Sequence, residues 1–114
     1  MNVHRLESGA VTVLRPVGDL DEEGAKDLRL SLGGCLQDQR ARLVVNLTDV
    51  NFVSYLGLGL LVECLRQFRA CRGDLRLAGV NLYTRRIMRM AGILHLFEIY
   101  EDETVAIDSY RKAA

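Results

Sequence analysis

Tryptophan is absent, proline occurs once, and no charge of either sign is left over when fifteen Lys and Arg are set against fifteen Asp and Glu. Each shortage removes a class of protein. Without surplus positive charge there is no broad means of displacing counterions from phosphates, so direct nucleic-acid binding is not expected. A disordered chain would need less Leu and Val and more uncompensated charge than a sequence that is 49% hydrophobic. The longest uncharged stretch lies between Asp49 and Glu63, well short of the roughly 20 residues of a membrane span. Membrane insertion is therefore not expected. No Ser/Gly/Pro-rich linker, low-complexity tract or internal repeat divides the 114 residues, which read as one domain over 1–114.

Cysteine is also scarce. Cys35, Cys64 and Cys71 are odd in number and widely spaced, with no Cys-x-x-Cys pair, so neither a complete disulfide framework nor a zinc site is implied. They read as small hydrophobes in a reducing compartment. The start, Met-Asn-Val-His-Arg-Leu-Glu, lacks the basic and then apolar run of a signal peptide. The expectation is a cytoplasmic protein.

What is present is a regular alternation. Residues 2–7 suit a short edge strand, and the alternating stretch around Val11 to Val17 suits a second. Gly18-Asp19-Leu20-Asp21 punctuates the chain, with Asp21 as N-cap and Glu22 and Glu23 in the first turn of a helix. Ala25, Leu28, Leu32, Cys35 and Leu36 then recur at helical spacing, with Gly33 and Gly34 weakening the helix near its end. Leu43-Val44-Val45-Asn46-Leu47 reads as a strand buried on both faces. Residues 48–54 form a loop or short extended stretch, and a second helix runs from about Tyr55 to Arg72. Leu75 and Leu77 supply the next strand. Asn81 caps a helix to Ala91, with Arg85, Arg86 and Arg89 outside. Leu96, Phe97 and Ile99 make a last strand before a helix from about Asp102 to Lys112. The order β-β-α-β-α-β-α-β-α predicts an α/β fold: a mostly parallel, mixed sheet of four or five strands flanked by about four helices.

Catalytic signals are weak. His4 and His95 have neither a neighbouring ligand set nor a nucleophile. None of the four serines (Ser8, Ser31, Ser54, Ser109) sits in a nucleophile elbow. Gly57-Leu58-Gly59 lacks the third glycine of a dinucleotide fingerprint. No catalytic residue, metal or cofactor is expected. Arg85, Arg86 and Arg89 line one side of their helix and read as a solvated face rather than an anion patch. The informative stretch is Phe52 to Leu61, between a buried strand and a long helix, because binding sites in open parallel sheets collect at strand carboxyl ends. Ser54 is placed to cap that helix. Gly57 and Gly59 each cost it about 1 kcal/mol of propensity.

Several segments, in order and spacing, resemble the STAS domain family, whose small members include bacterial anti-sigma factor antagonists. They are Gly18-Asp19-Leu20-Asp21, Leu43 through Val50, Phe52 through Leu61, Gly73-Asp74-Leu75-Arg76-Leu77, and Phe97-Glu98-Ile99-Tyr100 with the final helix. The resemblance implies a non-enzymatic interaction module. Such a module binds an anti-sigma factor with a histidine-kinase-like ATPase fold, freeing a sigma factor, and is released by phosphorylation within Asp-Ser-Ser-Gly. Aligned on Gly57, this chain has Ser54 at the Asp, Tyr55 at the first Ser and Leu56 at the second. Ser54 is then the one shifted candidate for a phosphate, and Asn46 replaces a common acidic residue while Asp19 and Asp21 are kept. The expected partner-binding residues are Asp19, Asp21, Ser54, Tyr55, Leu56 and Gly57, on a domain not switched by standard serine phosphorylation. A weak homodimer is compatible with an apolar helix start. The alternative role is an accessory subunit of a lipid-transport ATPase complex or a stress-signalling scaffold.

Overall fold

The computed structural model of the chain, which describes residues 1–112, contains one sheet of six strands and four α-helices. The strands are β1 (Asn2–Ser8), β2 (Val11–Leu20), β3 (Arg42–Asn46), β4 (Val50–Val53), β5 (Asp74–Ala78) and β6 (Ile99–Tyr100). The helices are α1 (Glu22–Gln37), α2 (Tyr55–Ala70), α3 (Leu82–Met90) and α4 (Glu103–Lys112). The sheet order is β1-β2-β3-β5-β6, with β4 beside the far end of β2. Only β1 is antiparallel to its neighbour. The mixed, mostly parallel sheet with four helices is thus as the alternation predicts, with one strand more.

The extra strand has a simple origin. The Gly18-Asp19-Leu20 segment, expected to punctuate the chain, instead carries β2 on to Leu20. β2 pairs β3 only at Thr12–Leu14, so its second half projects beyond the shorter strand. Residues 50–53 fill that vacancy, Gly18 facing Val50 and Leu20 facing Val53. Gly18 takes φ +123°, a conformation other residues rarely adopt, where the register shifts. The last strand also differs from expectation. Leu94–Leu96 winds into a 3-10 turn, and the strand is only Ile99–Tyr100. Ile93, Leu94 and Leu96 pack half-buried against the core from that turn, which an extended segment, alternating faces, would not allow.

Strand alternation divides the interior into two layers. Leu14, Leu43, Val45, Leu75 and Leu77 face α1 and α2, whose Leu28, Leu32, Leu58, Leu61, Leu65 and Phe68 are almost wholly buried. Val13 and Val44 face the other way, onto Ala106 and Tyr110 of α4. Gly33 and Gly34 do not end α1, because Leu32 and Cys35 on either side are anchored in the core and tertiary packing outweighs propensity.

Polar contacts fasten α4. The Tyr110 hydroxyl accepts from the Leu43 N–H at 3.1 Å and lies 2.7 Å and 2.8 Å from the Leu43 and Asp74 carbonyls, to which its proton can be donated. Arg76 stacks over the Tyr110 ring at 4.1 Å. Burial raises the ionisation of that phenol above its ordinary range. Arg15 grips Glu103 with two hydrogen bonds of 2.7 Å and 2.6 Å, and the guanidinium holds that carboxyl below its usual value.

Candidate functional site

β2, β3, β4 and β5 run parallel, so their carboxyl ends, with the turns that leave them, gather at one end of the molecule. Two of those turns hold the residues singled out in the sequence. Asp21 caps α1, its carboxylate accepting from the Gly24 N–H at 2.9 Å. Asp19 is exposed. Its carbonyl abuts Gly24, where a Cβ would come within 2.1 Å of it, so the turn closes only on a glycine. Leu20, between the two acids, ties this turn to the next: its carbonyl accepts from the Ser54 N–H at 3.0 Å and from the Ser54 hydroxyl at 3.1 Å.

Ser54 is therefore fully engaged. Its hydroxyl donates to Leu20 and accepts from the Gly57 N–H at 3.1 Å, capping α2 as its position predicts. Gly57 lies against the same carbonyl. A Cβ there would stand 2.6 Å from the Leu20 oxygen and 2.7 Å from its Cγ. That close approach accounts for one of the two helix-weakening glycines. Gly59 is different: it is exposed, and nothing lies within 4 Å of where its Cβ would be.

The side chains between these fixed points project outward. Tyr55 is 72% exposed and Leu56 is 56% exposed. Phe52, on the β4 approach, is also exposed. The six expected partner-binding residues thus collect around the starts of α1 and α2, but in two kinds. Asp21, Ser54 and Gly57 have structural duties, whereas Asp19, Tyr55 and Leu56 have no side-chain hydrogen bond or ion pair among the described residues.

Sequence reasoning missed Leu82 and Tyr83. They open α3 at the carboxyl end of β5 and stand exposed, Leu82 at 82%. Their signal was available: two bulky apolar residues directly after the Asn81 cap, whose carboxamide accepts from the Thr84 N–H at 2.7 Å. Of the three arginines assigned to the outer face of α3, Arg86 and Arg89 are exposed and Arg85 is half-buried. Asn46 turns out to be structural. Its Oδ1 accepts from the Thr48 N–H and hydroxyl, at 3.0 Å and 2.6 Å, and its Nδ2 donates to Glu103 at 3.2 Å.

His4 lies exposed on β1 and His95 exposed in the 3-10 turn. Cys35 and Cys64 are buried, and burial pushes the Cys64 thiol up to about 11. Cys71 is exposed at the end of α2. Among the described residues no group of three or more His, Cys, Asp or Glu is placed to hold a metal ion. No helix there is long and apolar enough to cross a membrane. A groove of about 520 Å³ runs along α2 from Tyr55 to Gln67 and is closed on its far side by Ala91 and Ile93.

A profile of the STAS domain matches residues 3–106. The anti-sigma F factor antagonist of Paenibacillus polymyxa is 24% identical over 98 residues, 85% of this chain and 84% of that protein. Among solved structures, an anti-sigma factor antagonist from Mycobacterium paratuberculosis superposes with a TM-score of 0.86 at 23% identity, covering 96% of this chain and 93% of that one. The Bacillus cell fate determinant SpoIIAA in its phosphorylated form gives 0.74 at 19% identity, covering 96% and 99%. These structures share the fold found here. With the profile running from β1 into α4, the chain belongs to the STAS domain family and is similar to its anti-sigma factor antagonists.

Proposed function

We propose that this protein is a non-enzymatic partner-binding module of the anti-sigma factor antagonist type, docking a histidine-kinase-like anti-sigma factor through the starts of α1 and α2. Asp19 supplies an exposed acid there, and Phe52, Tyr55 and Leu56 supply apolar contact. The observation that carries the reading is the exposure of Tyr55 and Leu56 directly after a rigidly bonded cap. Large side chains on a fixed backbone lose little entropy on docking, and such residues dominate interface energies.

The same geometry argues against release by serine phosphorylation. SpoIIAA has been solved both unphosphorylated and phosphorylated. A phosphate brings about −1.5 to −2 charges, which an apolar interface cannot accommodate. Here Tyr55 and Leu56 occupy the motif's two serine positions, and a kinase would have to break both bonds of the Ser54 hydroxyl to reach it. Occupancy of the complex is then set by affinity and abundance rather than by a covalent charge.

Calorimetric titration with histidine-kinase-like anti-sigma factors from the same organism tests the docking. Wild type should bind one of them, and Leu56→Asp should weaken binding at least tenfold. Unchanged affinity in Leu56→Asp and Tyr55→Ala would place the interface elsewhere. Binding only to a transporter ATPase would favour the lipid-transport role. Incubation of the bound pair with ATP, followed by intact-mass spectrometry, should leave this chain's mass unchanged. Stoichiometric phosphate would refute the absence of a switch.

A further inference from the structure

The two ends of the sheet are unequal. β6, at one end, is two residues long, whereas β1, at the other, runs for seven. β1 pairs with β2 in unbroken register, from Asn2 opposite Val17 to Ser8 opposite Val11. Among the described residues no strand lies on its other side. A bulge, a proline or a lysine commonly blunts such an edge, and Asn2–Ser8 has none of them. Leu6 is 39% exposed on this strand, and Val17 of β2 is 40% exposed on the same face. α4 packs over β3, β5 and β6, so Asn2, His4, Leu6, Arg15 and Val17 stay uncovered on that side.

The hairpin fixes which backbone groups are free. Ser8 and Val11 close a two-residue turn, Gly9-Ala10, with Gly9 at φ +59°. A closing pair of this kind exchanges both its main-chain bonds, so Ser8, Leu6, His4 and Asn2 spend theirs on β2. The N–H and C=O groups of Glu7, Arg5 and Val3 therefore point outward. The side chains then decide what this edge accepts. Two antiparallel copies of β1 centred on Arg5 or on Glu7 would set like charges face to face. Centring on His4 would set Arg5 opposite Val3. Centring on Leu6 sets Arg5 of each copy opposite Glu7 of the other, and Leu6 opposite Leu6. Those Arg5–Glu7 pairs are also the ones whose free backbone groups can exchange main-chain bonds. Within the chain Arg5 already bridges Glu7 and Asp38, and Arg40 pairs Glu7, so a second copy extends a ladder of alternating charge. The strand is its own complement.

We infer that a second copy of this chain pairs edge to edge with β1, antiparallel and centred on Leu6, giving a two-fold dimer with one continuous sheet. The axis stands perpendicular to the sheet, so α1 of both copies lies on one side and α4 of both on the other. Antiparallel joining points the carboxyl ends of the two sets of parallel strands in opposite directions. The starts of α1 and α2 thus sit at opposite ends of the dimer. This contact neither overlaps the docking face proposed above nor depends on it, and it differs from a pairing of apolar helix starts.

Sedimentation velocity of the full chain should show a monomer at low micromolar concentration and a dimer toward millimolar. Over the same range the amides of Arg5 and Glu7 should gain at least tenfold protection from hydrogen exchange, while those of Tyr55 and Leu56 stay unchanged. Arg5→Glu alone and Glu7→Arg alone each set like charges across the join and should remain monomeric. Mixed in equal amounts, they restore both attractions and should form a heterodimer, which a loss of fold in either would not produce. Leu6→Cys, with the exposed Cys71 replaced by Cys71→Ser, should yield a disulfide-linked dimer on mild oxidation. Directly opposed residues of such a pair lie about 4.5 Å apart at Cα, within disulfide reach. His4→Cys in the same background should yield none. A monomer at millimolar concentration, a mixture of the folded charge variants that stays monomeric, or linkage through His4→Cys as readily as through Leu6→Cys would each overturn the inference. So would a dimer protected at the start of α2 instead of at β1, or an added Thr-Val repeat peptide that protects Arg5 and Glu7 in a chain that stays monomeric.

Discussion

Alanine at Gly57 and alanine at Gly59 should move stability in opposite directions, although the two positions are one residue apart in the same helix. On propensity alone each change stabilises by about 1 kcal/mol. At Gly59 nothing within 4 Å opposes the new methyl, so most of that gain should appear. At Gly57 the methyl would lie 2.6 Å from the Leu20 carbonyl oxygen and 2.7 Å from the Leu20 Cγ. Neither atom can swing away. The carbonyl is backbone in β2, and Leu20 is fully buried. Relief requires moving α2 off the strand, at about 1–3 kcal/mol for an overpacked contact. The same movement stretches both hydrogen bonds from Ser54 to that carbonyl and loosens the cap, worth about 1 kcal/mol. Against the gained propensity, Gly57→Ala should lose roughly 1–3 kcal/mol, or about 4–12 °C in melting temperature for a domain of this size. Urea and thermal unfolding followed by far-UV circular dichroism measure both variants, since the chain has no tryptophan. Equal stabilisation by the two alanines would refute the contact between Gly57 and Leu20 and, with it, the rigid seating of the α2 start.

Other consequences can be checked in the same preparations. Ser54→Ala removes the α2 cap and should cost about 1 kcal/mol in urea unfolding without changing the helix content at 25 °C. Tyr110 keeps its proton in the folded chain above the ordinary value of 10.0. Its stabilising share is therefore complete below pH 10 and is lost as pH rises beyond that, where the unfolded chain ionises first. Tyr110→Phe should flatten this alkaline decline while costing about 1–3 kcal/mol at neutral pH, because the Leu43 N–H loses its side-chain partner. Ellman's reagent should titrate one thiol in the native protein, Cys71, and all three in urea, as Cys35 and Cys64 are buried and their thiolates disfavoured.

The elements legible in the sequence are those whose signal is local. Asp21, Ser54 and Asn81 each announce a cap by type and position, and each side chain accepts from the N–H three residues on. The apolar run at residues 43–47 is a central strand because both faces are covered, by α2 on one side and α4 on the other. What could not be read locally depends on lengths compared across the sheet. β4 exists because β2 outruns β3, a relation between segments more than twenty residues apart. The turn at Leu94–Leu96 escaped notice because its apolar residues suit a short strand equally well, and only their joint burial decides. The site was half legible for the same reason. The start of α2 follows from Ser54 and the glycines, whereas Leu82 and Tyr83 join that end of the molecule only through the parallel order of the strands.

Sorting side chains by whether the fold employs them sharpens where function resides. At the carboxyl end of the sheet, three glycines admit backbone or side chains where a Cβ would collide: Gly24 on Asp19, Gly57 on Leu20 and Gly79 on Thr48. They make the turns stiff, and residues caught between them, including Asp21, Ser54 and Asn46, are occupied by hydrogen bonds inside the molecule. Phe52, Tyr55, Leu56, Gly59, Leu82 and Tyr83 have no such occupation, yet each carries a penalty in an isolated domain, exposed apolar area in five cases and lost helix propensity in one. On the function proposed above, this stiff frame presents those residues to a docking partner.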